Sequence, residues 1–230
     1  MIRLHITAEG KTELNFAKKV LAPYLAGHNV FADERCVLTG KNRRAAQEHR
    51  GGLLSYGKAK KDILAWLKED HGNECRFTTM FDLYALPDDF PGYDEARFQV
   101  DPYKKVEIIE NFMASDINDS RFIPYVQLHE FEALILADPR QLEWEYLEHD
   151  KPILNLISMV GGQNPEFIND GKDTAPSKRI LKEIPEYNKA TAGPAVAEKI
   201  GLPVLRAKCG HFHDWLTVLE NLGNTQSRCR

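Results

Sequence analysis

The stretch that most constrains this chain is its opening, Ile2 to Glu13. Ile2, Leu4 and Ile6 alternate with polar residues, Thr7 and Ala8 lead to Glu9 and Gly10, and helical spacing begins at about Thr12. A period of two passing directly into a helical period predicts strand, tight turn and helix. Such a unit opens an α/β sheet, whose ligands gather at the carboxyl ends of its strands. Glu9 is expected at one of those ends, with Gly10 letting the chain reverse without a side-chain clash. Glu13 falls in the first helical turn, and two carboxylates this close can share a hard cation such as Mg²⁺. Acids also favour the first turn of any helix, so Glu13 has a structural explanation that Glu9 lacks. The Gly10-Lys11-Thr12 run does not make a phosphate-binding loop, because His5 stands where the first glycine is required.

Downstream, Leu14, Ala17, Leu21 and Tyr24 form a helical stripe over Glu13 to Ala26, which Pro23 is expected to bend or end early. Val30 to Leu38 reads as a second strand, Gly40 to Gly57 as a loop, and Lys58 to Asp70 as a helix burying Ile63, Leu64 and Leu67. Phe77-Thr78-Thr79-Met80-Phe81 is a strand that stops at Asp82. In a parallel sheet Glu9 and Asp82 lie on one edge, so a cation bridging them is a matter of geometry and not only of counting acids. Asp88 and Asp89 sit in a proline-rich loop as turn formers. Asp101-Pro102 opens a helix that is expected to end before Ser115. Phe122 to Leu128 is a further strand, followed by His129, Glu130 and Glu132. Glu130 is either a ligand or base or a helix-start acid, and Glu132 fits the helix-start description better. Beyond Asp138 only helices and loops are expected. The division that follows is an α/β core over 1–138, a helical extension packed on it over 139–222, and a flexible tail over 223–230.

The 230 residues suffice for one sizeable core, and 43% hydrophobic with 28% charged residues is an ordinary globular composition. Neither a leader nor an apolar run of membrane-spanning length is evident, and Cys36, Cys75, Cys209 and Cys229 show no Cys-x-x-Cys spacing. A reducing cytoplasm is therefore the expected location. The net charge is −4, yet Lys41, Arg43, Arg44, Arg50, Lys58, Lys60 and Lys61 face only Glu48 within one segment. That is either a phosphate-binding patch or a solvated surface. Lys178, Arg179, Lys182 and Lys189 are a second set of cations. Cys209, His211 and His213 lack a fourth partner and match no usual zinc pattern.

Glu9-Gly10-Lys11-Thr12-Glu13 after the first strand and Asp82 after a later one resemble the Toprim (topoisomerase–primase) fold. More closely, the chain is similar to a bacterial Toprim-like group, the domain-of-unknown-function 4276 family. Gly51-Gly52 with Tyr56, Thr79 to Tyr84, Leu86-Pro87, Phe90-Pro91-Gly92, Gln127 to Leu134, Pro176 to Arg179 and Cys209 to Leu216 extend the match over most of the chain. The resemblance implies a mostly parallel sheet flanked by helices and a Mg²⁺- or Mn²⁺-dependent nuclease acting on DNA or RNA. Glu9 would be metal ligand or general acid/base, and Asp82 the first acid of a pair. Tyr84 stands where the second acid belongs, so Glu130, Glu13 or Asp88 would replace it, or the site is weakened. Lys11, Lys41, Arg43, Arg44, Arg50, Lys58, Lys178 and Arg179 would grip the nucleic acid. By association the resemblance also implies an ATPase partner in defence against phage. A twofold homodimer is compatible with the chain by base rate alone. A nucleic-acid-binding or regulatory subunit without chemistry is the alternative, and chemistry on a small phosphate a weaker third.

Overall fold

The computed structural model describes residues 1–42, 47–50, 53–84, 86–168, 171 and 173–224, and of 38–42 and 47–50 the backbone only. Five strands form the main sheet: β1 (Ile2–Ala8), β2 (Val30–Cys36), β5 (Cys75–Asp82), β6 (Phe122–Ile123) and β7 (Val126–Gln127). Their order is β2-β1-β5-β6, with β7 also on β5, and every pairing is parallel. This is the α/β architecture expected from the opening residues. The strand expected over Phe122 to Leu128 is interrupted at Pro124-Tyr125. Pro124 brings no N–H to a ladder, and the Thr79 hydroxyl fills the gap by accepting from the Tyr125 N–H and donating to the Tyr125 carbonyl, both at 2.9 Å.

The period-two alternation sorts the side chains between two cores. Ile2, Leu4 and Ile6 join Met80 on one face, while His5 stacks on Phe77 and against Trp66 on the other. The first face is covered by α1 (Lys11–Phe16), a π-helical turn (Ala17–Leu21) and α2 (Ala22–Ala26), together with helices from beyond residue 138. The second is covered by α3 (Tyr56–Glu69), α4 (Tyr93–Ala96) and α5 (Pro102–Ile117). Strands buried on both faces need near-continuous apolar runs, and Leu4 and Ile6 are wholly buried. Fully burying one such side chain stabilises the fold by about 1.5–3 kcal/mol.

From Leu142 to Leu219 the buried residues belong to the same core as β1 and α1. They come from α7 (Asp150–Val160), α8 (Pro176–Glu183), α9 (Lys189–Ile200), α10 (Leu202–Lys208) and α11 (Gly210–Leu222), after the short α6 (Glu132–Ile135). Gly201, at φ +79°, ends α9 as its position after the apolar stripe predicts. Among the described residues no helix is long and apolar enough to cross a membrane.

Three expectations change. The segment expected as a loop after Gly40 contains an antiparallel hairpin, β3 (Leu38–Asn42) with β4 (Gln47–Arg50), held by backbone pairing that polar residues make as well as apolar ones. Pro23 does not end its helix, because it lies in the first turn of α2, where a missing N–H costs little, and the π-helical turn absorbs the change of pitch. The α5 helix continues past Ser115 to Ile117 and stops at Asn118 in the left-handed region. Ser115 stays helical by donating to the Asn111 carbonyl at 2.9 Å.

A polar network ties the C-terminal helices to the sheet. The wholly buried Glu166 accepts the Tyr103 hydroxyl at 2.5 Å and the N–H groups of His211 and Phe212 at 3.1 and 3.2 Å, so it caps α11 from outside the helix. His211 Nε2 lies 2.9 Å from Glu110 Oε1, and its ring stacks on Tyr125, which stacks in turn on Trp215. Burial alone would lower the His211 pKa, but Glu110 and Glu166 outweigh it and raise the pKa above its ordinary 6.5. This contribution to stability is complete below the unfolded value and fades as pH rises through the folded one. The melting-temperature gap between the parent and His211→Gln is expected to be wider at pH 5.5 than at pH 9, as thermal unfolding followed by circular dichroism will show. A gap independent of pH would mean that the ion pair contributes nothing.

Candidate functional site

The register of two strands builds the site. Ala8 lies opposite Met80 in the β1–β5 pairing, so the chains leave the sheet side by side at Glu9 and Asp82. The Glu9 N–H donates to the Met80 carbonyl at 3.0 Å, and the Asp82 N–H donates to Glu9 Oε2 at 3.0 Å. The two acids expected to share an edge therefore touch through the backbone. Gly10 serves a different purpose from the one expected. Its φ of −142° is open to any residue, but a Cβ there would sit 3.2 Å from Glu13 Oε2, which accepts the Gly10 N–H at 2.8 Å. Glycine eases that close approach, and Glu13 is held in a capping geometry.

The third contributor follows β7. His129 adopts φ +60°, an uncommon conformation for a residue with a Cβ, while its ring nitrogen Nε2 meets the Glu166 carbonyl at 3.0 Å. The turn delivers Glu130 and Glu132 to the interior, 4% and 1% exposed. Glu130 accepts the Ser177 N–H at 2.9 Å and the Ser177 hydroxyl at 3.0 Å, at the start of α8. Lys189, the first residue of α9, lies 3.1 Å from Glu130 and 3.5 Å from Glu132, and Tyr187 donates to Glu132 at 3.3 Å. The α9 helix comes this close to α1 because Gly193 presents no side chain to Thr12, Phe131 and Tyr187.

These acids crowd one another in a water-poor space. Burial, then Glu13 and Glu9, hold the Asp82 carboxyl well above its ordinary range. Burial raises Glu9 as well, against the backbone N–H groups of Asp82 and Leu53. Burial with the Glu9 charge pushes Glu13 up to about 7, and burial pushes Glu132 up to about 7 against the pull of Lys189. Burial opposes the charge on Lys189, but Glu132 and Glu130 raise its pKa. Among the described residues one cation, Lys189, thus faces five carboxylates, which is an environment that favours a further positive charge.

A divalent ion fits part of this arrangement. Asp82 Oδ1 is buried with no hydrogen-bond partner among the described residues, beside a Glu9 carboxylate that keeps an acceptor face. An orphaned acceptor of this kind calls for an explanation, and a hard cation completed by water supplies one. Glu130 does not fit as a ligand, since Ser177 and Lys189 already use both of its oxygens. Among the described residues no three His, Cys, Asp or Glu side chains are grouped to hold a metal ion. Cys209, His211 and His213 accordingly make no zinc site: Cys209 is buried, His211 pairs with Glu110, and His213 accepts from Arg206.

The cations expected to grip nucleic acid are dispersed. Lys11 begins α1 and Lys58 lies in the first turn of α3, both exposed. Lys178 is exposed on α8, while Arg179 donates to the Thr174 carbonyl at 2.6 Å and lines a separate cleft with Asn155 and Met159. Arg43 and Arg44 lie outside the described residues, and of Lys41 and Arg50 only the hairpin backbone is described. Asp88 is exposed, and Asp89 accepts the N–H groups of Tyr56 and Gly57 at the start of α3. In the sequence Lys189 is only one of a second set of cations, and Glu132 fits a helix start better than a site. Only an acid directly after a β-strand marked this region, and Lys189 comes from a helix of the C-terminal third.

A family model described as a domain of unknown function, DUF4276, matches residues 8–220. The chain belongs to the DUF4276 family. Among solved structures it is similar to the C-terminal region of the Xanthomonas campestris pv. campestris OLD protein, at 15% identity and a TM-score of 0.45 over 99% of each chain. The C-terminal region of the Burkholderia pseudomallei OLD protein gives 14% identity and a TM-score of 0.45, covering 96% of this chain and 99% of that one. No curated protein matches. Likenesses this shallow leave the chemistry of this DUF4276 member to its own side chains.

Two substitutions separate scaffold from site. Glu130→Gln leaves Lys189 and the Ser177 groups imperfectly paired in the interior and is expected to cost about 1–3 kcal/mol, read by denaturant unfolding. Asp82→Asn removes a carboxyl whose charged form burial and its acidic neighbours already disfavour, and is expected to leave the metal-free protein as stable as the parent or more so. A large loss of stability in Asp82→Asn would assign Asp82 to the scaffold.

Proposed function

We propose that this DUF4276 member is a metal-dependent hydrolase of phosphodiester bonds in DNA or RNA. The single observation that carries this reading is Asp82 Oδ1, buried and unpartnered beside Glu9 at the carboxyl end of the sheet. Glu9 and Asp82 would hold Mg²⁺ or Mn²⁺, with water filling the remaining positions. The ion, when bound, activates water and stabilises charge on the phosphoryl oxygens. Glu13, poised near neutrality by burial and by Glu9, is placed to take and return a proton. Lys189 offsets the negative wall and keeps Glu130 and Glu132 in place. Lys11, Lys58, Lys178 and Arg179, with Lys41, Arg43, Arg44 and Arg50, would position the backbone, because phosphate contacts orient a strand without reading it. The Toprim resemblance adds an ATPase partner, a role in phage defence, a cytoplasmic location and a homodimer as further proposals.

A second reading has its own observation. Tyr84 replaces an acid, its N–H bonds to the His129 carbonyl at 2.7 Å, and no three-ligand group stands among the described residues. A regulatory subunit that binds nucleic acid without cutting it accords with that. The two readings part when the protein is incubated with supercoiled plasmid and with single-stranded RNA in Mg²⁺, Mn²⁺ or chelator. Cutting is expected in metal only, with Glu9→Gln reducing it roughly a hundredfold or more, the scale on which a positioned acid or base acts. Equal cutting by Glu9→Gln would remove the mechanism. Salt-sensitive binding without cutting would establish the second reading.

A further inference from the structure

Immediately beyond Asp82 the chain enters a cleft of about 270 Å³ that no step above uses. Its lining includes Leu83 and Tyr84 from the strand end, Tyr93 on α4, and the cations Arg97 and Lys105. We propose that this cleft receives an unpaired nucleotide of the substrate strand, so that the protein engages nucleic acid in single-stranded form; this rests on the nuclease reading only for where the adjacent phosphate goes.

Three features argue for that occupant. The first is position: Leu83 and Tyr84 follow Asp82 directly, and the Leu83 N–H is fixed to the Gln127 carbonyl at 3.0 Å. The cleft therefore opens at the residues that directly follow the proposed reaction centre in the chain. The second is chemistry. Two tyrosines beside an arginine and a lysine form a lining that combines ring faces for a base with cations for phosphate, the pairing that recognises unpaired strands. Among the described residues no carboxylate lines the cleft, whose lining charges are Arg97 and Lys105, in contrast to the acidic edge beside it.

The third is the rim. Arg97 lies 4.8 Å over the ring of Phe98, and Phe98 is 73% exposed. An aromatic face left in water and backed by Arg97, itself part of the cleft lining, offers a stacking platform. Arg97 meets Asp94 at 3.4 Å within its own helical turn, an exposed pair that holds the guanidinium only weakly and leaves it able to turn to a phosphate. A duplex does not fit this description, because its bases are stacked on one another and present no free face.

The test is fluorescence anisotropy of the full chain in chelator with a labelled oligo-dT, a labelled oligo-U and a labelled duplex, so that binding is read without cutting. Single strands are expected to bind roughly tenfold or more tighter than the duplex, and the two oligomers tell DNA from RNA. Phe98→Ala is expected to weaken single-strand binding several-fold with the salt slope unchanged. Arg97→Gln with Lys105→Gln is expected to weaken it by roughly tenfold and to flatten the slope by about one to two phosphate contacts. All three substitutions are on the surface, and circular dichroism confirms that each variant folds. Equal affinity for single strand and duplex, or parent-like binding by both variants, would overturn the proposal. Selective single-strand binding by a protein that cuts nothing in metal would keep the cleft and remove the nuclease, and duplex cutting unaffected by either variant would do the reverse.

Discussion

The Asp82 N–H donated to Glu9 Oε2 is the contact on which the rest of the site depends. It exists because β1 and β5 are parallel neighbours in a register that ends them together, so one strand's terminal amide meets the next residue of the other. That register is fixed by burial on both faces. A slip of one residue would move Ile2, Leu4 and Ile6 away from the core they fill and drive His5 and Thr7 into it. The geometry at Glu9 is thus supported by the hydrophobic effect acting along the whole strand.

Around this contact the protein gathers like charges at a cost. Among the described residues five carboxylates share one lysine, and the burial of Glu13, Glu130 and Glu132 withholds much of the water that would screen the repulsion. Glu130 is relieved locally by Ser177 and Lys189, whereas Asp82 retains an acceptor with nothing to accept. Such a division is what separates a buried acid that supports structure from one that awaits a ligand. The polar network of Tyr103, Glu166, His211 and Glu110 shows the other outcome, since there every charge has found its partner and the result is a clamp between helices and sheet.

The C-terminal helices matter to function through this packing. Lys189 and Ser177 reach the acids because α8 and α9 belong to the same core as β1, with Gly193 allowing α9 to approach α1. On the opposite side of Asp82, α4 and α5 shape a cationic cleft. The end of β5 therefore adjoins both the acid cluster and a cleft whose lining carries Arg97 and Lys105, and the proposed binding of a strand rests on that juxtaposition.

How much of this was legible in the sequence follows from the range of each interaction. Periodicity is local, so the strands ending at Glu9 and Asp82, the Asp101 cap and the helix over Ile63 and Leu67 could be read directly. Parallel pairing follows from strand–helix alternation, and with it the meeting of Glu9 and Asp82. The hairpin at Leu38–Asn42 could not be read, because polar backbone pairing leaves no apolar pattern. Nor could the role of Gly10, whose reason is a contact with Glu13 and not its own φ. Glu130 could be read in the chain as ligand, base or helix-start acid alike, and only folding gave it Ser177, 47 residues away. The sequence by itself determined which segments become strands and which acids end them, because those depend on neighbours within a few residues. Tertiary structure alone decided which acids are satisfied and which lysine faces them, because burial and pairing join residues that the chain keeps far apart.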